Sequence, residues 1–175
     1  MFLRALITST IVFWVLVGCV STPDGGGPMA AQRLKVALTE GCLPYSKGER
    51  TESEAMATAR MTRIEPPSNP FTSPPGPDHM YRAPGNIIAN LYRGRCTIHV
   101  PGQHPELTEV VEHALKDRLG PDYLARGTPV HLSSLPTIAS FCLDGMIYSY
   151  YSVHPGSPGE GFEVEMWPRD CVQVR

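Results

Sequence analysis

The sequence predicts an α+β domain in which a small antiparallel sheet packs against one or two helices, is stapled by disulfides and carries a proline-rich irregular excursion. Three observations predict this fold class. Hydrophobic and polar residues alternate over 87–100 and again between 129 and 168, and hydrophobic residues recur at helical spacing over 105–119. Four cysteines are also spread along the same part of the chain.

The composition excludes several classes of protein. The 175 residues are 42% hydrophobic and 18% charged, with 15 Lys and Arg against 17 Asp and Glu and a formal net charge of −2. A coiled coil, a fibrous protein or a strongly basic nucleic-acid binder needs a composition that this chain lacks. We therefore expect a single globular domain without a nucleic-acid partner.

Residues 1–18 have the layout of a secretory signal peptide. Arg4 and the amino terminus form a short charged leader, and a hydrophobic stretch from Ala5 to Val17 follows before the segment ends in small residues. This stretch is shorter than the ~20 apolar residues that span a bilayer comfortably. The layout predicts export of the chain and removal of residues 1–18.

The end of this segment, Leu16-Val17-Gly18-Cys19, resembles the lipobox of bacterial lipoproteins. The resemblance implies that the signal is cut off before Cys19 and that Cys19 carries several acyl chains, such as palmitate, which anchor a protein where one chain would not. Val20 is not acidic, which by the sorting logic of enteric bacteria implies the outer membrane, facing the periplasm. An uncleaved anchor helix or an ordinary signal with a coincidental cysteine is the alternative.

The rest of the chain divides into a tether and a domain. Residues 19–28 are predicted to be a lipid-anchored flexible tether, because their Ser, Thr, Pro and Gly bury nothing, and residues 29–175 a single α+β periplasmic domain. An even number of remaining cysteines is what a disulfide framework in an exported chain requires, with three pairings open. We favour Cys42–Cys96 with Cys142–Cys171 over four free thiols.

Local signals place three helices. A helix is predicted over 29–40 with Gly41 as its terminating residue, and the capping-box spacing at residues 51–54 predicts a short helix to about residue 61. The clearest helix spans 105–119, and its apolar stripe should lie on the sheet. Residues 62–84 contain seven prolines, so we expect a long irregular excursion there without a helix or a central strand.

Alternating hydrophobic residues place the strands. A hairpin is predicted over 87–100 with Arg93-Gly94 as its turn, so that Leu91 faces Cys96. Further strands are predicted at about 129–134, 137–143, 146–153 and 162–168, with a tight turn at Asp144-Gly145. If that turn forms, the tail has to fold back to bring Cys171 to Cys142.

The last two predicted strands carry the candidate binding residues. Pairing them across 154–161 sets Ile147 opposite Met166, which places Tyr148, Tyr150 and Trp167 on one sheet face near Glu163 and Glu165. Alternating aromatic side chains on a strand face suit a peptide, a glycan strand or another envelope protein. Burial of this face in the core is the simpler explanation, because aromatic residues are more often buried than functional.

The sequence lacks the motifs of a known catalytic site. It contains no HExxH, no nucleophile elbow and no phosphate-binding glycine loop that follows a strand. A three-ligand metal site would have to be assembled from His99, His104 and His131, which we expect to be merely solvated. We therefore expect no catalytic residue, no metal and no other cofactor.

Beyond the lipobox, the pattern of cysteines, amphipathic helix and terminal strands loosely resembles small uncharacterised periplasmic proteins of Gram-negative bacteria. These features lead us to expect a lipid-anchored cell-envelope protein with a non-catalytic binding or assembly role. Its expected partners are the membrane, through the lipid anchor, and an envelope protein or the cell wall. The alternative is an envelope hydrolase that uses His and acidic residues.

Overall fold

The computed structural model describes residues 28–65, 77–102, 104–130, 137–153 and 160–171, and one antiparallel sheet dominates it. The strands, in chain order, are β1 Thr62–Ile64, β2 His79–Ala83, β3 Ile87–Tyr92, β4 Arg95–Pro101, β5 Thr128–Pro129, β6 Thr137–Leu143, β7 Met146–Val153 and β8 Gly161–Pro168. Their order across the sheet is β1-β2-β3-β4-β8-β7-β6-β5. The sheet is therefore two four-stranded meanders joined by the pairing of β4 with β8. The prediction of an antiparallel sheet with helices is confirmed, but eight strands make the sheet larger than predicted.

The helices precede and interrupt the sheet. They are α1 Pro28–Val36, a π-helix Ala37–Cys42, α2 Leu43–Ser46, α3 Glu52–Thr58, α4 Leu107–Leu119 and α5 Tyr123–Arg126. Buried residues of the helices and of one sheet face form the main hydrophobic core, which includes Leu34, Leu38, Leu115, Ile98 and Val164. The predicted helix over 105–119 is confirmed as α4, and it ends at Gly120 as expected.

The first predicted helix does not end at Gly41. The helical backbone continues through the π-helix into α2 and reaches Ser46. Gly41 serves close packing instead, because a Cβ atom there would lie 3.1 Å from the Cβ of Ala59. The next residue, Cys42, is fully buried and paired with Cys96 on β4. Tertiary contacts therefore override the terminating tendency of this glycine.

The capping box that opens α3 is confirmed. The Thr51 hydroxyl accepts a hydrogen bond from the backbone N–H of Glu54, and the Glu54 carboxylate accepts one from the backbone N–H of Thr51. These two bonds satisfy N–H groups that the first turn of a helix leaves unpaired.

The prediction that 62–84 is irregular throughout is wrong at both ends of that range. Residues 62–64 form the edge strand β1 and residues 79–83 form β2, with Thr62 opposite Arg82. The prediction was based on the number of prolines in the range, but all seven lie outside the two strands and so do not prevent them from forming. Residues 66–76, which hold five of them, lie outside the described residues.

The β3–β4 hairpin has the predicted register and turn. Leu91 faces Cys96 and Ala89 faces Ile98. Arg93 and Gly94 both have positive φ, 29° and 89°, as a tight hairpin turn requires. Alternation and turn chemistry agree at this hairpin, so its register could be read from the sequence.

The predicted turn at Asp144-Gly145 is also present, but the predicted β7–β8 register is wrong by one residue. Ile147 faces Trp167 rather than Met166. The turn joins β6 to β7. Of the predicted strand 129–134, residues 129 and 130 are described, and only Pro129 lies in a strand, the two-residue β5. Residues Met146 to Tyr151 of β7 are all buried, so the strand has no polar face that would fix its pairing by alternation. A one-residue slip moves every side chain of a strand to the opposite face of the sheet.

Both predicted cysteine pairs lie at disulfide distance. The Cα atoms are 5.5 Å apart in Cys42–Cys96 and also in Cys142–Cys171. The chain after β8 folds back to reach β6, as the predicted turn required, and the backbone N–H of Arg169 donates to the carbonyl of Gly145 at 2.9 Å. The first pair ties the π-helix to the sheet, and the second ties the tail to β6.

Candidate functional site

The two faces of the sheet differ in what packs on them. One face contributes to the main core with the helices, and the opposite face carries a small separate cluster of Val130, Cys142 and Ile147, with Trp167 and Cys171 packed against it. Each described helix contributes at least one buried residue to the larger cluster. We call this opposite face the helix-free face, and its central strands are β3, β4, β8, β7 and β6.

An arginine at one end of the helix-free face is held between two aromatic rings. The guanidinium carbon of Arg95 lies 5.1 Å from the ring centroid of Trp167 and 5.7 Å from that of Tyr92. Its Nη2 donates to Oε1 of Glu165 at 2.6 Å. The Arg95 side chain is 45% exposed, whereas that of Glu165 is 8% exposed. The buried carboxylate therefore fixes the position of a surface cation that both rings attract.

Glu165 has more than one hydrogen-bond donor. Besides Arg95, the hydroxyl of Thr97 donates to Oε1 at 3.5 Å and the phenol of Tyr151 lies 3.4 Å from the same oxygen. A buried carboxylate is costly unless it is paired in this way. The donors around Oε1 of Glu165 thus form a preorganised polar cluster.

The second glutamate of the strand, Glu163, is bound by a histidine and a tyrosine. His99 Nδ1 lies 3.2 Å from Oε1, and the Tyr151 phenol donates to Oε2. Burial would raise the pKa of Glu163, but the hydrogen bonds from His99 and Tyr151 outweigh it and the pKa is lowered overall. The pKa of Tyr151 is raised, first by burial and then by its bond to Glu163. Glu163 is therefore a carboxylate at neutral pH and Tyr151 a neutral donor.

Gly161 makes room for His99. A Cβ atom at this position would lie 2.7 Å from Cε1 of His99 and 2.4 Å from the carbonyl oxygen of Val100. No side chain other than hydrogen fits between two strands at that separation. The glycine thus positions the imidazole against Glu163.

A row of polar residues crosses the middle of the helix-free face. Cross-strand pairing links the members of this polar row one to the next, in the order Asn90, Thr97, Glu165, Ser149 and Ser140. Five adjacent strands at a spacing of ~4.8 Å give the row a length of about 19 Å. Within the described part of the chain, Asn90 Oδ1, Ser149 Oγ and Ser140 Oγ are buried and have no hydrogen-bond partner.

The structure separates the three aromatic residues predicted to share one face. Trp167 lies on the helix-free face, but the one-residue register difference places Tyr148 and Tyr150 on the opposite face, where both are 1% exposed. Tyr148 stacks on Phe141 with ring centroids 5.1 Å apart. The predicted three-residue surface therefore does not exist as one face, and the two tyrosines are core residues.

Tyr150 nevertheless reaches the edge of the helical layer. Its phenol donates to Glu112 of α4 at 3.0 Å, and burial together with this bond raises its pKa. Glu112 lines a surface cavity of about 460 Å³ between α4 and the start of α5. The phenol thus ties β7 to α4.

The three histidines considered as metal ligands do not come together in the described residues. His99 is bound to Glu163, and His104 Nε2 lies 3.0 Å from the carbonyl oxygen of Pro101. His131 lies outside the described residues. Among the residues that the structure describes, no group of three or more His, Cys, Asp or Glu side chains is placed to hold a metal ion.

A second Glu–His–Tyr group lies at the junction of α3 and β2. Glu52 Oε2 is 2.6 Å from His79 Nδ1, and the Tyr81 phenol donates to Oε1 at 2.6 Å. Burial opposes ionisation of Glu52, but the bonds from Tyr81 and His79 lower its pKa overall, and burial together with Glu52 raises the pKa of Tyr81 to about 12. This group fastens the helix to the sheet.

Sequence reasoning missed Asn90, Thr97, Tyr92 and Arg95 as members of the site. A usable signal was present for the first two, because the correctly predicted hairpin places Asn90 opposite Thr97 on the face away from Leu91 and Cys96. The pairing of β4 with β8, which brings in Glu165, joins residues 68 positions apart and left no local signal.

Cys19, the predicted lipidation residue, lies outside the described residues. No helix in the described segments is long and apolar enough to cross a bilayer. In comparisons with known proteins, no protein-family model, no curated protein and no solved structure matches this chain.

Proposed function

We propose that this protein is a lipid-anchored protein of the bacterial cell envelope, attached through Cys19 to the outer membrane and facing the periplasm, with a non-catalytic binding or assembly role. The lipobox-like residues 16–19 support the anchor. Two cysteine pairs at disulfide distance favour an oxidising compartment over the cytosol. The partner is an envelope protein or a component of the cell wall.

The binding surface in this proposal is the helix-free face, and the observation that carries it is the fixed position of Arg95. Arg95 is half-exposed, lies between the rings of Tyr92 and Trp167, and is paired with the buried Glu165. A partner would therefore meet a cation, two aromatic rings and hydrogen-bond donors in fixed positions. Preorganised side chains of this kind lose little entropy when a partner binds. Arginine, tyrosine and tryptophan are also the residues enriched at binding hot spots.

The electrostatics of the same face favour binding over catalysis. A general acid that works near neutral pH needs a carboxyl group whose pKa is raised. The pKa of Glu163 is lowered instead, and Glu165 is neutralised by Arg95 at 2.6 Å. The carboxyl group of Glu163 is therefore not set up to deliver a proton.

The alternative, an envelope hydrolase, has one observation in its favour. A carboxylate on Nδ1 of a histidine leaves Nε2 to act as a base, and Glu163 stands in that relation to His99 at 3.2 Å. A hydrolytic activity that is lost in both His99→Ala and Glu163→Gln variants and retained in Arg95→Ala would replace our proposal with this one.

The anchor is tested by mass spectrometry of the amino-terminal peptide after expression in a Gram-negative host. We expect the first residue of the mature protein to be an acylated Cys19, and we expect Cys19→Ser to abolish acylation and release the protein from membranes. An unmodified Cys19, or a chain that keeps residues 1–18, would overturn the anchor.

The binding role is tested by chemical cross-linking in intact envelopes. Trp167→Ala combined with Arg95→Ala should remove specific cross-links, whereas Leu124→Ala, at a residue 51% exposed on the helical side, should leave them in place. Circular dichroism and urea unfolding would check that all variants fold. A folded double variant that retains every cross-link would refute the assignment of this face.

A further inference from the structure

We propose that the Cys142–Cys171 disulfide is a thiol–disulfide exchange site, which a dithiol reduces in the folded protein while Cys42–Cys96 stays oxidised. Its basis is the juxtaposition of a half-buried cysteine, an exposed connecting segment and the small cluster against which Trp167 packs. Exchange at this site also loosens one side of the helix-free face, and this second part rests on the proposed binding function.

The two disulfides differ in how a reductant can reach them. A thiolate must contact one of the two sulfur atoms before it can break the bond between them. Cys42 and Cys96 are both 0% exposed and belong to the main core. Cys171 is half-buried at the protein surface, although its partner Cys142 is 2% exposed. Of these four cysteines, Cys171 is therefore the one that an external thiolate meets first.

The segment that carries Cys171 can also separate from the sheet at little cost. It follows β8, and its residues Arg169 and Asp170 are exposed. The backbone N–H of Arg169 donates to the carbonyl oxygen of Gly145 at 2.9 Å, which holds the segment at the turn between β6 and β7. Opening this segment exposes little apolar surface, and local openings of this kind need far less free energy than global unfolding.

Opening the first disulfide requires much more. Cys42 ends the π-helix within the continuous helical stretch from Pro28 to Ser46, and Cys96 lies on β4, between β3 and β8. An attacking thiolate reaches either sulfur only after the main core has opened. We therefore expect a large difference in reaction rate between two bonds of the same chemistry.

The reaction is a two-step exchange with a dithiol. One thiolate of the dithiol attacks Sγ of Cys171, the bond between the two cysteines breaks, and Cys142 leaves as a thiolate that takes a proton from water. The second thiol of the dithiol loses its proton to water and attacks the mixed disulfide, which releases Cys171 as a thiolate that is protonated in turn. The dithiol loses two electrons and becomes a disulfide, and the cysteine pair gains the same two.

The consequence of this reaction falls on Trp167. Val130, Cys142 and Ile147 form the small cluster of the helix-free face, and Trp167 and Cys171 both pack against it. The ring of Trp167 in turn lies 5.1 Å from the guanidinium of the binding face. Release of Cys171 removes one of the residues that cover the cluster. We therefore expect the Trp167 ring to become more mobile and more accessible to water.

The exchange site is tested by reducing the oxidised full-length protein with dithiothreitol under native conditions. Free thiols are trapped with N-ethylmaleimide at successive times and assigned by peptide mass spectrometry, while circular dichroism follows the fold. We expect Cys142 and Cys171 to be modified at least about tenfold faster than Cys42 and Cys96, with native circular dichroism throughout. Equal rates for the two pairs, or loss of the native spectrum as the second pair is labelled, would overturn the proposal.

Two variants of one residue test whether opening of the segment after β8 controls the reaction. Arg169→Pro removes the N–H that bonds to Gly145, so we expect the second pair to be reduced about fivefold faster, the effect of one hydrogen bond. Arg169→Ala retains this N–H and is the matched control, which should react at the rate of the unchanged protein. Equal rates in the two variants would overturn the proposed route of attack.

Tryptophan fluorescence reports on the coupling to the binding face. Trp14 and Trp167 are the two tryptophans of the chain, so Trp14→Phe leaves Trp167 as the single probe. Reduction of the second pair should increase quenching of its emission by acrylamide and lower the yield of envelope cross-links. Cys142→Ala combined with Cys171→Ala should show this quenching without dithiothreitol and no change with it. Unchanged quenching and cross-links after selective reduction would refute the coupling.

The outcomes distinguish this inference from the proposed function. Selective reduction, together with cross-links that do not depend on Arg95 and Trp167, would support the exchange site and refute the binding face. Cross-links that depend on these residues, together with equal reduction of both pairs, would support the binding face and refute the exchange site. Selective reduction that also lowers the dependent cross-links supports both.

Discussion

Removal of the two cysteine pairs, one at a time, is expected to destabilise the protein by different amounts. In one variant Cys42 and Cys96 are both replaced by Ala, and in the other Cys142 and Cys171 are replaced. The closed loops have sequence separations of 54 and 29 residues. In the chain-entropy model, loops of these lengths stabilise a protein by about 4 and about 3.5 kcal/mol.

Burial enlarges the difference between the two variants. Cys42 and Cys96 are both 0% exposed in the main core, whereas Cys171 is only half-buried. Loss of each fully buried sulfur removes a group of about methylene size, which costs ~0.8 kcal/mol. We therefore expect a loss of about 5–6 kcal/mol for the first variant and about 4 kcal/mol for the second.

The assay is urea unfolding of the oxidised full-length protein and both variants, followed by tryptophan fluorescence and far-UV circular dichroism. Because a domain of ordinary stability has only ~5–15 kcal/mol in total, the first variant is also measured in sucrose, which favours the folded state. A second variant that loses as much stability as the first, or more, would refute the reasoning from loop length and burial.

Three further results are expected. Gly161→Ala should destabilise the protein by roughly 1–3 kcal/mol in urea unfolding, because its Cβ would meet the Val100 carbonyl oxygen at 2.4 Å; an unchanged midpoint would contradict the close approach of β4 and β8. Thr51→Ala should lower the free energy of unfolding by ~1 kcal/mol, because it removes the cap of α3. Thr62→Ala, at an exposed position of an edge strand, should lower it by less, and equal losses in the two variants would argue against the cap. Because the pKa of Glu163 is lowered in the folded state, its carboxylate stabilises the fold above the ordinary pKa of 4.5, and this stabilisation is lost as the pH falls through the folded pKa. Glu163→Gln should therefore make the free energy of unfolding fall less steeply on the acid side of its pH profile. A variant with an equally steep fall would exclude this carboxylate as a contributor.

The sequence was most informative where turn chemistry and alternation agree. The β3–β4 hairpin has Arg93-Gly94 at positions with positive φ, and burial alternates strictly along β3, so turn and register were both predictable. In β7 six consecutive residues are buried, and alternation no longer distinguishes its two faces. For this reason the predicted aromatic surface combined residues from opposite sides of the sheet.

The candidate site was harder to predict than the fold because it depends on pairings between distant residues. Arg95 and Glu165 are 70 positions apart, and Glu52 and Tyr81 are 29 apart. Neither separation carries a local signal. The first pair meets because β4 pairs with β8, and the second because α3 lies next to β2. Trp167 was selected as an aromatic residue on a predicted strand face, but the predicted register gave it the wrong neighbours, since Ile147 lies opposite Trp167.

The pairing of β4 with β8 has a consequence for how the two halves of the chain assemble. Cys42 and Cys96 both lie in the first half of the chain, which ends with β4. Cys142 and Cys171 both lie in the second half, which contains β5 to β8. Neither cysteine pair therefore links one half to the other. The amino-terminal half of the chain therefore holds both thiols of its own pair and does not depend on the second half to oxidise them. The two halves meet along β4 and β8, so the face that carries both Arg95 and Glu165 exists only when these two strands are paired.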